Sequence, residues 1–236
     1  MSSSYIIIGA SGGIGSQLVA DLESCGHNLL LGYHKEKLDA ISGNSEFAPV
    51  EATNFDSVMS LVEQGVNKFG DIDGLINLPG SIILKPPHLI SEDEFYSTID
   101  INLKSAFACV RAAGKLMQNS SVLLMSTAAV SIGLGNHEMI VASKAGIEAM
   151  VRSASKTYAR KGLRFNAIAP SLTNTPLAKN IVDNPISLKA SEKMHPVGRI
   201  GEPKDITNAI QFLINPNNNW ITGQTLSLDG GMSTTK

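Results

Sequence analysis

Short apolar runs alternate with longer amphipathic stretches along almost the whole chain. YIIIG at 5–9, NLLLGY at 28–33, GLINL at 74–78, SVLLMS at 121–126 and LRFNAIAP at 163–170 are too short for helices. Their aliphatic and β-branched content fits strands buried on both faces. GQTLSLDGG at 223–231 predicts a last strand. Helical patterns fill the gaps, at about 13–25, 54–69, 104–118 and 138–160, and again in EPKDITNAIQFLI after Gly201. A further helix opens at Ser91, where Ser91 and Glu94 have the spacing of a capping box. Within 138–160, Ile147, Met150, Val151, Ala154 and Tyr158 share one face, which predicts burial against the sheet.

Repeated alternation of strand and helix implies right-handed crossovers and a doubly wound parallel α/β sheet, with helices on both faces. No repeat, low-complexity tract or linker interrupts 1–236, which reads as one domain. The stretch 171–200 is the least regular and is rich in Asn, Ser, Thr and Pro. In an open α/β sheet such an insertion follows a strand's carboxyl end and covers the binding crevice, so 171–200 is the expected substrate lid.

Composition narrows the function classes. A net charge of −2 gives no electrostatic case for nucleic acid or an anionic membrane. MSSSYIIIGASGG lacks a basic leader region, and its apolar run stops at a glycine, so it reads as a strand. Cys25 and Cys109 lack metal-type spacing and read as reduced, buried thiols of a cytoplasmic protein. The five histidines, His27, His34, His88, His137 and His195, form no ligand pair at helical spacing, so no metal is expected.

Chemistry enters at GASGGIGSQLV, directly after the first strand. Gly9, Gly13 and Gly15 allow a tight turn, close backbone approach to a pyrophosphate and close helix–strand packing. The helix that follows offers unpaired amides and a positive dipole end to phosphates. No Gly-Lys-Ser/Thr follows the glycines, which argues against a mononucleotide P-loop. At the end of the second strand, Tyr33, His34 and Lys35 stand where an acidic residue would take the ribose hydroxyls of NAD. Nothing there repels a 2′-phosphate, so NADP is preferred over NAD. The competing reading makes Lys35 the start of a solvated helix.

The ordered landmarks GASGGIG, NLPG (77–80), INL (101–103), LLMSTAA, ASKAG, RFNAIAPSLTNTPL, GRIGEPKDI and WITGQTLSLDGG resemble the short-chain dehydrogenase/reductase family over essentially the whole chain. The resemblance implies a Rossmann-like sheet of about seven strands in the order 3-2-1-4-5-6-7. It implies a nicotinamide cofactor, a small carbonyl or alcohol substrate, and a homodimer or homotetramer. By the same resemblance the cofactor would meet Gly9, Ser11, Gly13, Ile14, Gly15, Tyr33, Lys35, Ala52, Asn77, Gly80, Lys144, Pro170 and Thr175. For Thr175, a local helix cap ahead of Pro176 is an equal alternative. Gly12 occupies a place where NADP-dependent members often carry Arg or Lys, and Ser171 replaces a glycine common after the proline.

The family acts through a serine, a tyrosine and a lysine, helped by an asparagine. Hydride transfer to a carbonyl leaves an alkoxide, and a phenol beside an ammonium can supply its proton. Here Asn102 matches the asparagine, Thr127 falls at the serine and Lys144 is the lysine. Ser126 is a register alternative to Thr127, although neighbours on a strand point to opposite faces. The tyrosine's place holds Ile140, which cannot exchange a proton. Three readings follow. His137, three residues earlier, replaces the phenol as proton relay, positioned by Glu138; or the chain binds a dinucleotide without turnover, as a regulator or non-catalytic subunit; or the pocket is a remnant. The competing reading makes His137 a residue that merely caps or borders the helix start, or packs at a subunit contact. Trp220 is expected to pack at the end of the sheet or in a subunit contact.

Overall fold

The structure is a computed structural model and describes residues 2–35, 37–38 and 43–235. Seven parallel strands form one sheet: β1 (Ser4–Ile8), β2 (Asn28–Tyr33), β3 (Ser45–Pro49), β4 (Gly74–Asn77), β5 (Ser121–Met125), β6 (Arg164–Pro170) and β7 (Thr225–Leu228). Their spatial order is β3-β2-β1-β4-β5-β6-β7, the order implied by the family resemblance. The chain leaves β1 toward β2 on one side and returns to β4 on the other. That reversal opens a crevice at the carboxyl ends of β1 and β4, the usual ligand position in an open parallel sheet.

Alternation along each strand explains the two-sided core. Ile6, Ile8 and Leu30 face α2 (Phe55–Phe69), α4 (Ser105–Leu116) and α5 (Glu138–Thr157). Tyr5, Ile7, Leu29 and Leu31 face α1 (Gly13–Ser24) and α8 (Pro203–Ile214) on the other side. The predicted stripe of α5 is confirmed: Ile147, Val151 and Ala154 are buried, and Met150 and Tyr158 pack against them. The capping box at the start of α3 (Glu92–Ile99) is complete, since Ser91 and Glu94 each accept the other's backbone amide. Asp21 on α1 ties that helix to α8, accepting bonds from Lys204, Thr207 and Gln211 at 2.6, 2.5 and 3.3 Å.

Four expectations change. The segment SEFAP is a strand, β3, although its Ser, Glu and Pro carry no apolar alternation; it lies at the sheet edge, where one side needs no partner. The stretch 171–200 is not irregular: it holds a single turn at Pro176–Ala178, then α6 (Lys179–Val182) and α7 (Pro185–Met194). Cys109 is buried as expected, but Cys25 is exposed. Trp220 is 96% exposed and does not pack at the end of the sheet.

Candidate active site

The glycine loop is sterically committed. Gly9 has φ +83°, a conformation that disfavours any side chain. A Cβ on Gly15 would lie 2.2 Å from the Gly9 carbonyl oxygen and 2.7 Å from that of Ala10. A Cβ on Gly13 would meet Pro176 and Thr175 at 2.9 and 3.0 Å, so the segment after β6 rests directly on the loop. The helix that starts here has no side-chain cap and no acidic residue in its first turn, whereas Asn54 caps α2 and Ser91 caps α3. The amino end of α1 thus presents its first-turn amides to the crevice, a preformed seat for an anion. Ser11 is exposed and Ile14 half-buried beside it.

Toward β5, Gly80, Asn102 and Lys144 come together beside Asn77, the last residue of β4. Asn102 is fully buried in a five-residue π-helical segment, Asp100–Lys104, between α3 and α4. Such segments recur at functional sites because they re-aim one side chain out of the helical series. Its amide donates to Thr98 O and Ser81 Oγ at 3.0 Å, and its oxygen accepts Ser81 N at 3.3 Å. A Cβ on Gly80 would sit 3.3 Å from Asn102 Oδ1 and 3.8 Å from Lys144 Nζ, so the three positions converge. Asn77 donates to Ser105 Oγ at 3.2 Å, while its own Oδ1 is buried with no partner.

Lys144 Nζ donates to the Met125 carbonyl at 2.8 Å. No carboxylate pairs with it among the described residues, and desolvation pushes the ammonium down to about 8. Two of its three protons have no acceptor among the described residues, an arrangement that calls for hydroxyl acceptors from elsewhere. Ile140, one turn earlier on α5, is also buried, so an apolar side chain stands beside the ammonium.

Thr127 and Ser126 point apart, as strand alternation predicts. Thr127 Oγ1 bonds the Pro170 carbonyl at 3.3 Å, whereas Ser126 Oγ bonds Glu148 at 2.6 Å on α5. His137 is the residue before α5, with non-helical φ −101° and ψ 2°. Its Nδ1 is 2.8 Å from the Gly135 carbonyl, so Gly135, and not Glu138, orients the ring. Its side chain caps no amide of α5. Thr175 likewise caps nothing with its side chain; its hydroxyl donates to the Thr173 carbonyl at 3.3 Å.

At the adenosine end, His34 Nε2 pairs with Glu51 at 3.0 Å, and Glu51 also accepts Thr53 Oγ1 at 2.8 Å. The bonds from Thr53 and the nearby His34 hold the Glu51 carboxyl below its usual range, against the opposing effect of burial. Glu51 was missed in the sequence, because an acid there is only meaningful once β3 is recognised. Lys37 lies over the Tyr33 ring at 4.7 Å, while Lys35 is exposed. Ala52 is buried beside Glu51.

A glycine cradle at the switch point of a 3-2-1-4-5-6-7 sheet, with a buried lysine across the crevice, defines a dinucleotide-binding oxidoreductase fold. Comparison with known proteins narrows this. A family described as Enoyl-(Acyl carrier protein) reductase matches residues 9–233. The 3-oxoacyl-[acyl-carrier-protein] reductase FabG of Staphylococcus aureus is 30% identical over 98% of this chain and 98% of its own length. Among solved structures, aldohexose dehydrogenase of Thermoplasma acidophilum superposes with TM-score 0.91 at 26% identity, covering 100% of this chain and 95% of that one. ElxO with NADP bound superposes with TM-score 0.92 at 25% identity over the whole of both chains. The chain belongs to the short-chain dehydrogenase/reductase family, a family of oxidoreductases.

Proposed function

We propose that this chain binds a nicotinamide dinucleotide, NADP(H) before NAD(H), and interconverts a small carbonyl compound and its alcohol. The observation that carries the proposal is the buried Lys144 ammonium, which has a single acceptor among the described residues and lies across the crevice from a loop in which Gly9, Gly13 and Gly15 have no room or no backbone freedom for a side chain. The residues present fit the cofactor. The uncapped first turn of α1 at Gly13, Ile14 and Gly15 would seat the diphosphate, with Gly9 and Ser11 shaping the turn. Lys144 would hold the nicotinamide ribose, with Asn77, Gly80, Pro170 and Thr175 around the ring, and Tyr33, Lys35 and Ala52 would border the adenosine. The bound nicotinamide would supply or accept the hydride.

The chain's own residues do the rest. Thr127 offers a hydroxyl to the substrate oxygen. Asn102 fixes the backbone at Ser81, and so the wall of the crevice. With Nδ1–H given to Gly135, His137 keeps Nε2 as an acceptor, the form needed to take a proton from an alcohol and, once charged, to return it. Residues 171–200 form the lid, anchored through the Thr173–Gly201 bridge and resting on Gly13. Self-association into a homodimer or homotetramer is supported by the exposed Phe107 on α4. A cytoplasmic setting is supported by the free thiols of Cys25 and Cys109.

One observation favours a second reading, a dinucleotide-binding protein without turnover: Ile140 fills the place beside Lys144 with a buried alkyl group. Thermal unfolding with NADPH, NADP, NADH and NAD tests both, since a ligand that binds the folded state raises stability by mass action. A larger shift with the phosphorylated pair is expected, and no shift with any of the four rejects both readings. NADPH oxidation over a panel of aldehydes and ketones then separates enzyme from binder.

A further inference from the structure

At the carboxyl end of β6, within the lid segment, stands a pair of side chains to which the dinucleotide reading gives no chemical role. Ser171 is the first residue past β6, and its Oγ lies 2.7 Å from His195 Nε2. The other ring nitrogen, Nδ1, lies 2.6 Å from the Ser191 carbonyl oxygen. A carbonyl only accepts, so Nδ1 carries the proton and donates it. Nε2 is then the bare nitrogen, and the Ser171 hydroxyl donates to it. A hydroxyl on the free nitrogen of an imidazole, with the opposite nitrogen fixed by a third group, is the geometry of an activated nucleophile.

The surroundings suit a proton transfer. His195 is 4% exposed, while Ser171 keeps part of its surface open. His195 follows directly on α7, whose terminal carbonyls favour a positive charge. Asp229 faces the imidazole electrostatically and is itself held by the amides of Gly231 and Ser233 at 2.9 and 3.0 Å. Burial opposes the Asp229 charge, but these bonds and His195 outweigh it, so its carboxyl stays below the usual range. The turn at Gly230 closes over the ring, 3.6 Å from His195 Cβ and Cδ2 for a Cβ placed there. The amide after the nucleophile, Leu172 N–H, has no acceptor among the described residues. An amide in that position is where an oxyanion finds a donor. A plain clasp between β6 and α7 would account for the buried ring, but it needs neither a partly open Ser171 nor an unpaired amide beside it.

We propose that Ser171 and His195 form an acyl-transfer site whose substrates are activated esters or thioesters. Ser171 Oγ bonds to the acyl carbon as its proton passes to His195 Nε2. The bond from that carbon to the leaving oxygen or sulfur then breaks, and the leaving group departs with the proton from Nε2. Water next adds to the acyl carbon, giving a proton to Nε2. Ser171 leaves as the acid forms and takes its proton back. The sum is ester plus water to acid plus alcohol, or thiol, with no oxidant or reductant. Ser171 and His195 belong to the lid segment but share no residue with the glycine loop, Asn102 or Lys144, so acetylation of Ser171 and NADPH binding are separate readouts of the two proposals.

The test uses the full chain with p-nitrophenyl acetate, following release of nitrophenol and locating the acetylated residue by peptide mass spectrometry. Acetylation at Ser171 is expected, with release slowed about 10²-fold or more in Ser171→Ala and His195→Gln. Thermal melting establishes that each variant is folded. Because His195→Gln alters a buried site, Ser171→Cys provides an independent arm: it keeps a nucleophile beside Nε2 and should release nitrophenol faster than Ser171→Ala. Acetylation only at other residues, a wild-type rate in folded Ser171→Ala, or equal rates for Ser171→Cys and Ser171→Ala would overturn the proposal.

Discussion

Ile140 and Lys144 stand one helical turn apart on α5, both buried, and the lysine's only acceptor among the described residues is the Met125 carbonyl. The ammonium that would lower a phenol's pKa is in place, but its neighbour is an alkyl group. Ile140→Tyr is therefore expected to raise carbonyl reduction by about 10²–10⁴, the usual contribution of a positioned acid. His137→Ala is expected to remove most of the wild-type rate while leaving NADPH binding intact. Initial rates of NADPH oxidation check both. An unchanged rate in His137→Ala would remove the histidine from the chemistry.

The isolation of Lys144 also makes stability depend on pH. Burial lowers its pKa to about 8, well below the unfolded value of roughly 10.4. The unfolded chain then binds more protons between these values, so stability rises with pH across that window. Below about 8 the cost of the buried charge is fully present, on the order of 3 kcal/mol. Lys144→Met removes the charge at similar length and should melt higher than wild type at pH 7. The gap should narrow steadily from pH 8 toward 10. A gap independent of pH would show that the ammonium is solvated or paired in solution.

Most of the fold was legible because its inner strands are buried on both faces, so YIIIG or SVLLM can hardly be anything else. The edge strand β3 was not, since an edge needs little apolar surface and SEFAP has none of the alternation. α7 carried a readable signal, Asn184 as N-cap with Pro185 in the first turn, hidden among the other polar residues of 171–200. In the site, Gly9, Gly13 and Gly15 follow from spacing because chain-local geometry dictates them, whereas Asn102 and Lys144 were reached only through the family resemblance. The Glu51–His34 pair and the Ser171–His195 pair join residues 17 and 24 positions apart, and no local pattern links them. His137 shows the limit of helical spacing: it lies at a helix end, where its own backbone angles set its direction.

Gly15 couples the loop's shape to binding. A methyl there would press on the Gly9 and Ala10 carbonyls at 2.2 and 2.7 Å, so the turn must open to admit it. Gly15→Ala is expected to abolish the NADPH-induced rise in melting temperature and to cost about 1–3 kcal/mol of stability through overpacking. Gly133→Ala, where nothing lies within 4 Å, is the matched control and should change neither. Calorimetric titration with NADPH reads the affinity directly. Full affinity in Gly15→Ala would mean that the dinucleotide does not use this loop.

Asp21 joins α1, which carries the glycine loop, to α8, which abuts the lid. Its carboxylate accepts from Gln17, Lys204, Thr207 and Gln211, three of them on α8. Burial raises its pKa, but these bonds more than compensate and hold it below the usual carboxylate value. A folded-state pKa below the unfolded one contributes stability above the unfolded value, near 3.9, and that stability is lost as pH falls through the folded value. Asp21→Asn keeps the shape and one acceptor but gives up the charge and the bond from Lys204. It should cost about 1–3 kcal/mol at pH 7, with much of the difference from wild type gone at pH 3. Urea unfolding at the two pH values measures it. An equal deficit at both would assign the contribution to packing at the α1–α8 seam and remove the carboxylate from the account.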